Sequence, residues 1–201
     1  GDLREAALRG ARIAAFNPML EPGLRGFADP QSPVETLTGR GARIADEYFQ
    51  VRVGGDLAAV TGICKAVLEA DDASGKVLDR DFIARHTSGF EQFAAAVRAQ
   101  GWPQIVQNSG LSREQIEKAA AMYIASNATI ATWCMGLTQH EYAIETIQML
   151  VNLMLLRGNV GKPGAGLMPV RGHSNVQGDR TVGVTNRPKK EWLEGLQRVF
   201  G

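Results

Sequence analysis

The chain has 201 residues, of which 44% are hydrophobic, and a formal net charge of +1 from 22 basic and 21 acidic side chains. That length and composition suffice for one substantial core, so we expect a single folded domain without extended disorder. The balanced charge gives no electrostatic case for a nucleic acid or an anionic membrane, and no apolar run approaches the roughly 18 residues that span a bilayer. No signal-peptide pattern opens the chain, so we expect a cytoplasmic setting.

The first elements predict a helix followed by a buried strand. Leu3, Ala6, Ala7 and Leu8 recur at helical spacing before Gly10, a residue typical of a helix end. Residues 13–16 then form a short apolar run, as in a parallel strand. Asn17 follows at the carboxyl edge, where open α/β sheets bind ligands. It is either a nucleotide contact or part of an ordinary Asn-Pro turn.

Residues 20–50 are rich in proline and glycine and show little periodicity, which predicts a loop-rich excursion at the surface. A second strand signal at 48–53 leads into a glycine turn at Gly54 and an apolar helix over about 57–68. Glycine lets a ligand approach the backbone of such a turn. Asp56 either caps the helix or accepts hydrogen bonds from a base.

The stretch 70–128 reads as scaffold, and we assign no chemistry to it. Short helices are expected over 81–85 and 90–99. A capping-box pattern that begins at Ser112 and includes Gln115 predicts a further helix through about residue 125.

A β-rich run at 129–133 ends in Cys134-Met135-Gly136-Leu137-Thr138-Gln139, and a helix from about 142 to 157 follows. This helix is apolar around most of its circumference, so it should be buried. The junction between strand and helix predicts a second ligand crevice. From composition alone, Met135 is more typical of core packing than of a ligand contact.

The segment 158–178 is rich in glycine and proline, which predicts an ordered loop that wraps a ligand. Arg171, His173, Asn175 and Gln177 alternate with shorter residues, so an extended backbone would project all four side chains from one face. Such a row suits an anion or a heterocycle, although a solvated surface loop has the same composition. Beyond it, a helix from about 189 to 200 is expected.

The scattered cysteines and histidines argue against a metal site built from protein side chains. Cys64 and Cys134 form no C-x-x-C pair and are expected to be buried thiols. His86, His140 and His173 lack the H-E-x-x-H spacing. A P-loop is also excluded, because the G-x-x-x-x-G-K-[ST] spacing around residue 161 fails.

Two segments resemble the molybdopterin oxidoreductases of the dimethyl-sulfoxide-reductase family, most closely their formate-dehydrogenase-like alpha subunits. Residues 158–166 and 169–178 match the family patterns G-N-x-G-K-P-x-x-G and P-V-R-G-x-N-N-V-Q-G, with His173 in place of the usual glutamine and Ser174 in place of asparagine. Residues 134–139 match C-M-G-x-T-Q. Asn17-Pro18-Met19 matches the family's N-P-R in part, and the turn before Asp56 is similar to the family's P-G-T-D.

The resemblance implies an α/β fold with a Rossmann-like, mostly parallel sheet and helices on both faces, which is the central domain of these enzymes. It implies a molybdopterin guanine dinucleotide cofactor with molybdenum or tungsten in the full-length protein. The implied cofactor-binding residues are Asn17, Gly54, Asp56, Met135, Gly136, Gln139, Gly172, Asn175 and Gln177. The implied catalytic residues are Arg171, which would orient a small oxyanion such as formate, and His173, which would relay a proton or hold a pterin.

The resemblance also implies that residues 1–201 are one domain of a larger polypeptide, with a loop-rich excursion at 20–50 and a cofactor and substrate loop at 158–188. An iron–sulfur cluster, the protein ligand of the metal and the domain for the second pterin would lie in other regions, so the isolated chain should be inactive. Its partners would be those remaining domains. A non-catalytic nucleotide-binding or interaction domain with the same fold remains the alternative.

Overall fold

The computed structural model describes residues 2–28, 30–31, 33–38 and 41–201. The helices are α1 (Asp2–Leu8), α2 (Pro22–Arg25), α3 (Pro33–Thr38), α4 (Asp56–Ser74), α5 (Arg80–His86), α6 (Phe90–Ala99), α7 (Trp102–Ser109), α8 (Arg113–Ala125), α9 (Met135–Thr138), α10 (Ala143–Leu156), α11 (Val176–Thr181) and α12 (Lys190–Phe200). The strands are β1 (Ala14–Phe16), β2 (Gly26–Phe27), β3 (Ala42–Arg43), β4 (Glu47–Phe49), β5 (Ile130–Trp133) and β6 (Gly166–Pro169).

The strands confirm an α/β fold with parallel pairing. β1 pairs with β4 and β5 pairs with β6, both parallel, while β2 and β3 form a short antiparallel pair. Within the described ranges these are three separate two-stranded sheets, not the single mostly parallel sheet that was expected. Only Ala15 of β1 is buried, whereas a strand inside a sheet covered on both faces would be buried throughout.

Helix α4 is the centre of the hydrophobic core. Its residues from Thr61 to Leu68 are all buried, and α6, α7, α8 and α10 pack around it. Gly62 allows the closest approach, because a Cβ built there would meet Ile105 and Ile116 at 2.8 and 2.9 Å. The apolar run of this helix is therefore covered on all sides, in agreement with its low amphipathicity.

The scaffold helices follow the sequence prediction closely. α6 has the predicted bounds, and the capping box of α8 is complete: Gln115 N donates to Ser112 Oγ at 3.3 Å and Ser112 N donates to Gln115 Oε1 at 2.8 Å. α4 is longer than predicted and continues to Ser74, where Gly75 ends it with φ 64°. α7 is absent from the sequence prediction, although four of its eight residues are apolar.

The excursion at 20–50 is more regular than a surface loop. It contains α2, α3 and the β2–β3 pair, and Ile44 and Ala45 are buried. Tyr48 fixes its beginning, because the Tyr48 hydroxyl donates to Met19 O at 2.6 Å and accepts from Glu21 N at 3.2 Å. Asp29, Ser32, Gly39 and Arg40, which belong to the predicted turns, lie outside the described residues.

None of the helices in these described ranges is both long enough and apolar enough to cross a membrane.

Candidate functional site

The carboxyl ends of β5 and β6 bring two of the predicted ligand segments together. Val170 N donates to Trp133 O at 2.7 Å, which continues the parallel pairing beyond β6. Two residues later, Gly172 lies against Met135, and a Cβ on Gly172 would meet the Met135 sulfur at 2.9 Å. A glycine at position 172 therefore keeps this edge open.

The resulting surface is an accessible ledge of apolar and amide groups, which we call the Met135 ledge: Met135, Gly136, Gln139 and Gly172. Met135 is 45% exposed, and Gln139, whose Nε2 lies 3.8 Å from the Met135 sulfur, is exposed as well. A Cβ on Gly136 would meet nothing within 4 Å. Met135 is thus not a core residue here, although its side-chain type alone favoured that interpretation.

The two glycines of the turn before α4 have different roles, because one is exposed and the other is buried. Gly54 is exposed and has φ 77°, and a Cβ there would meet nothing within 4 Å. Gly55 is buried, and its Cβ would lie 2.7 Å from Asn108 O. Gly55 therefore serves the packing of this turn against α7, and Gly54 is the glycine whose backbone remains open.

Asp56 begins α4 beside this turn and lies next to His140. Its side chain is 22% exposed, and its Oδ2 is 4.0 Å from His140 Nε2. Burial raises the pKa of Asp56 above its ordinary value, while its own backbone amide and the nearby His140 act in the opposite direction. Since His140 follows Gln139 directly, this contact connects the α4 N-terminus to the segment that carries the Met135 ledge.

The contact made by His140 has no counterpart in the sequence prediction, in which His140 is one of three scattered histidines. The available signal was its position immediately after the Thr-Gln of the 134–139 motif. Its partner, Asp56, is far away in sequence, so only the tertiary structure reveals the pair.

Asn17 lies on the other parallel pair. Its backbone N donates to Phe49 O at 3.1 Å, which extends the β1–β4 pairing, and its side chain is half-buried. Gln50 holds the next residue in place, because its Nε2 donates to Pro18 O at 2.9 Å. Asn17 therefore follows a parallel strand as predicted.

The four alternating polar residues do not form one extended row. Arg171 and His173 are exposed after β6, but the backbone turns at Asn175, which has φ 58°, and Gln177 lies in α11. Asn175 tolerates the left-handed conformation because its short amide can bond locally, and its Nδ2 donates to Asp179 Oδ1 at 3.2 Å. The extended projection predicted for this segment is therefore wrong from Gly172 onward, where the backbone begins to bend.

The first part of the same glycine-rich segment faces the interior. Asn159 is 1% exposed, accepts from Thr129 N at 3.2 Å and donates to the Tyr123 hydroxyl at 3.0 Å. Burial raises the pKa of Tyr123 to about 12. Asn159 thereby joins α8, the start of β5 and the loop, so it is part of the scaffold that supports the ledge.

Among the side chains of residues 2–28, 30–31, 33–38 and 41–201, no group of three or more His, Cys, Asp or Glu is arranged to hold a metal ion. Cys64 is fully buried, and burial raises its pKa well above the ordinary value. Cys134, at the end of β5, is only half-buried, so the expectation of two buried thiols holds for one of them.

Comparison with known proteins gives several relatives along nearly the whole chain, although no protein-family model matches it. Protein YdeP of Escherichia coli strain K12 is 46% identical over 204 residues, which cover 99% of this chain and 27% of that protein. An uncharacterized oxidoreductase of Mycobacterium tuberculosis is 44% identical over 200 residues, covering 99% of this chain and 26% of its own length.

Formate dehydrogenase H of Escherichia coli strain K12 is 34% identical over 143 residues, which cover 71% of this chain and 19% of that enzyme. The relationship to the molybdopterin oxidoreductases is confirmed. Among solved structures, acetylene hydratase from Pelobacter acetylenicus has the same fold over 81% of this chain and 19% of its own, with a TM-score of 0.62 and 20% identity. The chain spans about a quarter of the length of protein YdeP and of the mycobacterial oxidoreductase.

Proposed function

We propose that this chain is the cofactor-binding domain of a molybdenum or tungsten oxidoreductase that carries out a formate-dehydrogenase-like, two-electron oxidation of a small oxyanion. The observation that carries the proposal is the Met135 ledge, because β5 and β6 expose the two family-like motifs side by side at one sheet edge. Carboxyl ends of parallel strands are the usual ligand-binding edge of α/β folds.

The residues at this edge fit a guanine dinucleotide pterin. Guanine presents two adjacent N–H donor groups, and Asp56 offers a partly buried carboxylate that would accept from both. The exposed Met135 and the open backbone of Gly136 and Gly172 suit a flat ring, and Gln139 adds an amide. Asn17, Gly54, Asn175 and Gln177 remain further proposed contacts.

Arg171 is the proposed substrate anchor. Its guanidinium is exposed beside Gly172 and has no ion pair with the residues that the structure describes, so both of its forked N–H groups are available to a carboxylate. Oxidation of formate to carbon dioxide breaks the C–H bond and releases one proton and two electrons, and the pterin-bound metal would take up the electrons. His173, exposed two residues further on, would carry the proton to solvent.

The same proposal covers the rest of the protein. The chain covers about a quarter of the length of YdeP and of the mycobacterial oxidoreductase. The remaining domains of one polypeptide are therefore the proposed partners. Those domains would hold the second pterin, the metal ligand and an iron–sulfur cluster. A cytoplasmic setting stays a prediction.

Metal and pterin analysis of the protein expressed from its complete gene, with cofactor supply, tests this function. We expect molybdenum or tungsten together with guanine dinucleotide pterin in the complete protein and not in the 201-residue chain alone. Gly172→Val, which would displace Met135, should lower the pterin content, while Gly195→Val, at a position with no atom within 4 Å of a new Cβ, should not. A complete protein without metal and pterin would favour a non-catalytic binding domain.

A further inference from the structure

The sheet formed by β5 and β6 has one face on the hydrophobic core and one face open to solvent. Ala131 and Leu167 are paired in register, and both pack against the main buried cluster. Side chains alternate between the two faces of a strand. The alternate residues of both strands, together with Val170 just beyond β6, therefore share the opposite face, which we call the outer face: Ile130, Thr132, Met168 and Val170.

The outer face is uncharged and largely apolar, and it is uncovered. Ile130 is 55% exposed, Met168 and Val170 are each 48% exposed, and Thr132 is exposed as well. The crossover from β5 to β6 runs through α10, whose buried residues belong to the core side, and no helix in the described ranges shields the outer face. Parallel sheets occur almost only with both faces covered by other elements. This sheet therefore calls for a second cover, on its outer face.

The area of the outer face favours a cover from the same polypeptide over a second copy of the chain. Four side chains of this size expose on the order of a few hundred Å². A stable interface between separate proteins buries about 800 Å² on each partner, so this face alone would not hold two copies together. A tethered segment needs less area, because the connection gives it a high effective concentration. The chain covers only 27% of protein YdeP, so most of that relative's length lies outside the matched region.

We propose that the outer face is covered by a helix from a part of the complete polypeptide outside residues 1–201, and that this helix packs an apolar stripe on Ile130, Met168 and Val170. A helix fits because its backbone hydrogen bonds are internal and its apolar stripe matches an uncharged surface, whereas an added strand would pair at the sheet edge. The inference rests on the proposed function in one respect, that the chain is one domain of a longer polypeptide. It does not depend on the cofactor.

Peroxide oxidation of methionines in the complete protein, followed by mass spectrometry, tests whether the outer face is covered. Met154 is 1% exposed and provides the buried reference. We expect Met168 to react about as slowly as Met154, and at least roughly tenfold more slowly than in the urea-unfolded protein.

The same measurement on protein prepared with and without cofactor supply separates this cover from the pterin. Met168 should be protected in both preparations. Met135, which is 45% exposed in the chain, should be protected only where pterin is bound. A reactive Met135 in pterin-containing protein would contradict the function proposed for the Met135 ledge and leave the result for Met168 intact.

A photoreactive methionine analogue, incorporated in place of methionine, identifies the covering segment. Crosslinks from position 168 should reach a peptide outside residues 1–201, and a mixture of isotope-labelled and unlabelled protein shows whether they join one copy or two. Met168→Gln should lower the melting temperature of the complete protein by roughly a few °C, because a covered amide lacks a partner. Met168→Leu, which keeps an apolar side chain of similar size, is the matched control and should not.

Three results would each overturn the proposal. The first is oxidation of Met168 as fast as in the unfolded protein, which would mean an uncovered face. The second is protection of Met168 only in pterin-containing protein, which would make the cofactor the cover. The third is a set of crosslinks from position 168 that reaches only a second copy or only residues 1–201.

Discussion

The carboxylate of Asp56 illustrates, at the scale of one residue, how a proposed binding position costs stability. Because burial raises the pKa of Asp56 in the folded state, folding favours its protonated form. The stability that this proton provides is fully present below the unfolded pKa and is lost as pH rises through the folded pKa. At neutral pH, ionisation of Asp56 therefore lowers the free energy of unfolding relative to the protonated form.

Asp56→Asn should accordingly raise the urea midpoint of the chain at pH 7 and leave it nearly unchanged at pH 3, where the carboxylate is protonated. The pterin content of the complete protein should fall in the same variant, since an amide cannot accept from two donors of guanine as a carboxylate does. Asp81→Asn, on the exposed side of α5, is the control for the loss of one charge. A lower midpoint at pH 7 in Asp56→Asn would contradict this account.

Arg171 provides the second prediction at this scale, which concerns catalysis. If its guanidinium binds both oxygens of formate, Arg171→Ala in the complete protein should lower kcat/KM for formate. The expected loss is roughly tenfold to a hundredfold, which corresponds to the usual free-energy contribution of charge-assisted hydrogen bonds. Arg171→Lys should recover only part of the loss, because ammonium lacks the planar fork. Arg180, an exposed arginine in α11, provides the control variant Arg180→Ala. An equal loss of kcat/KM in this variant would mean that any nearby positive charge has the same effect, which would contradict a specific role of Arg171.

At the scale of elements, the packing of α4 against α7 and α8 depends on one glycine. Gly62→Ala adds a methyl group that would lie 2.8 Å from Ile105 and 2.9 Å from Ile116. Overpacking costs about 1–3 kcal/mol, and the better helix propensity of alanine returns up to about 1 kcal/mol. We expect a net loss of roughly 1 kcal/mol in the free energy of unfolding, measured by urea denaturation.

Gly195→Ala gives the matched control, because Gly195 lies within α12 and a Cβ there meets nothing within 4 Å. Only the propensity gain remains, so this variant should be stabilised by about 0.5–1 kcal/mol. The two substitutions are chemically identical and should therefore have opposite signs. The same sign in both would mean that the close contact at Gly62 relaxes without cost.

The predictable elements are those whose signal is local. α6 and α8 follow from apolar spacing and from the capping box of Ser112, and β1 and β5 follow from short apolar runs. The β2–β3 pair is different, because two residues per strand carry no pattern and the hydroxyl of the distant Tyr48 fixes the adjacent segment. The sequence likewise predicted β5, whose signal is local, but it gave no signal for β6, which lies within the predicted loop, or for the contact between Asp56 and His140.

At the scale of the whole molecule, stability is concentrated in the middle of the chain. The main buried cluster extends from Phe49 to Leu156, and none of the residues after Asn159 is buried. α12 at the end of the chain leaves Val199 73% and Phe200 82% exposed, and Trp192 Nε1 reaches back to Val182 O at 2.9 Å. Local opening of α12 therefore disrupts far less packing than opening of α4.

Hydrogen exchange measured by mass spectrometry on the 201-residue chain should show this difference directly. Amides of α4 are expected to exchange only through large-scale unfolding, because its residues from Thr61 to Leu68 are all buried. Amides of α12 should exchange at least roughly a hundredfold faster, since few buried contacts oppose fraying. Equal protection of the two helices would mean that α12 belongs to the cooperative core, and the division of the molecule into a stable centre and a loosely held end would then be wrong.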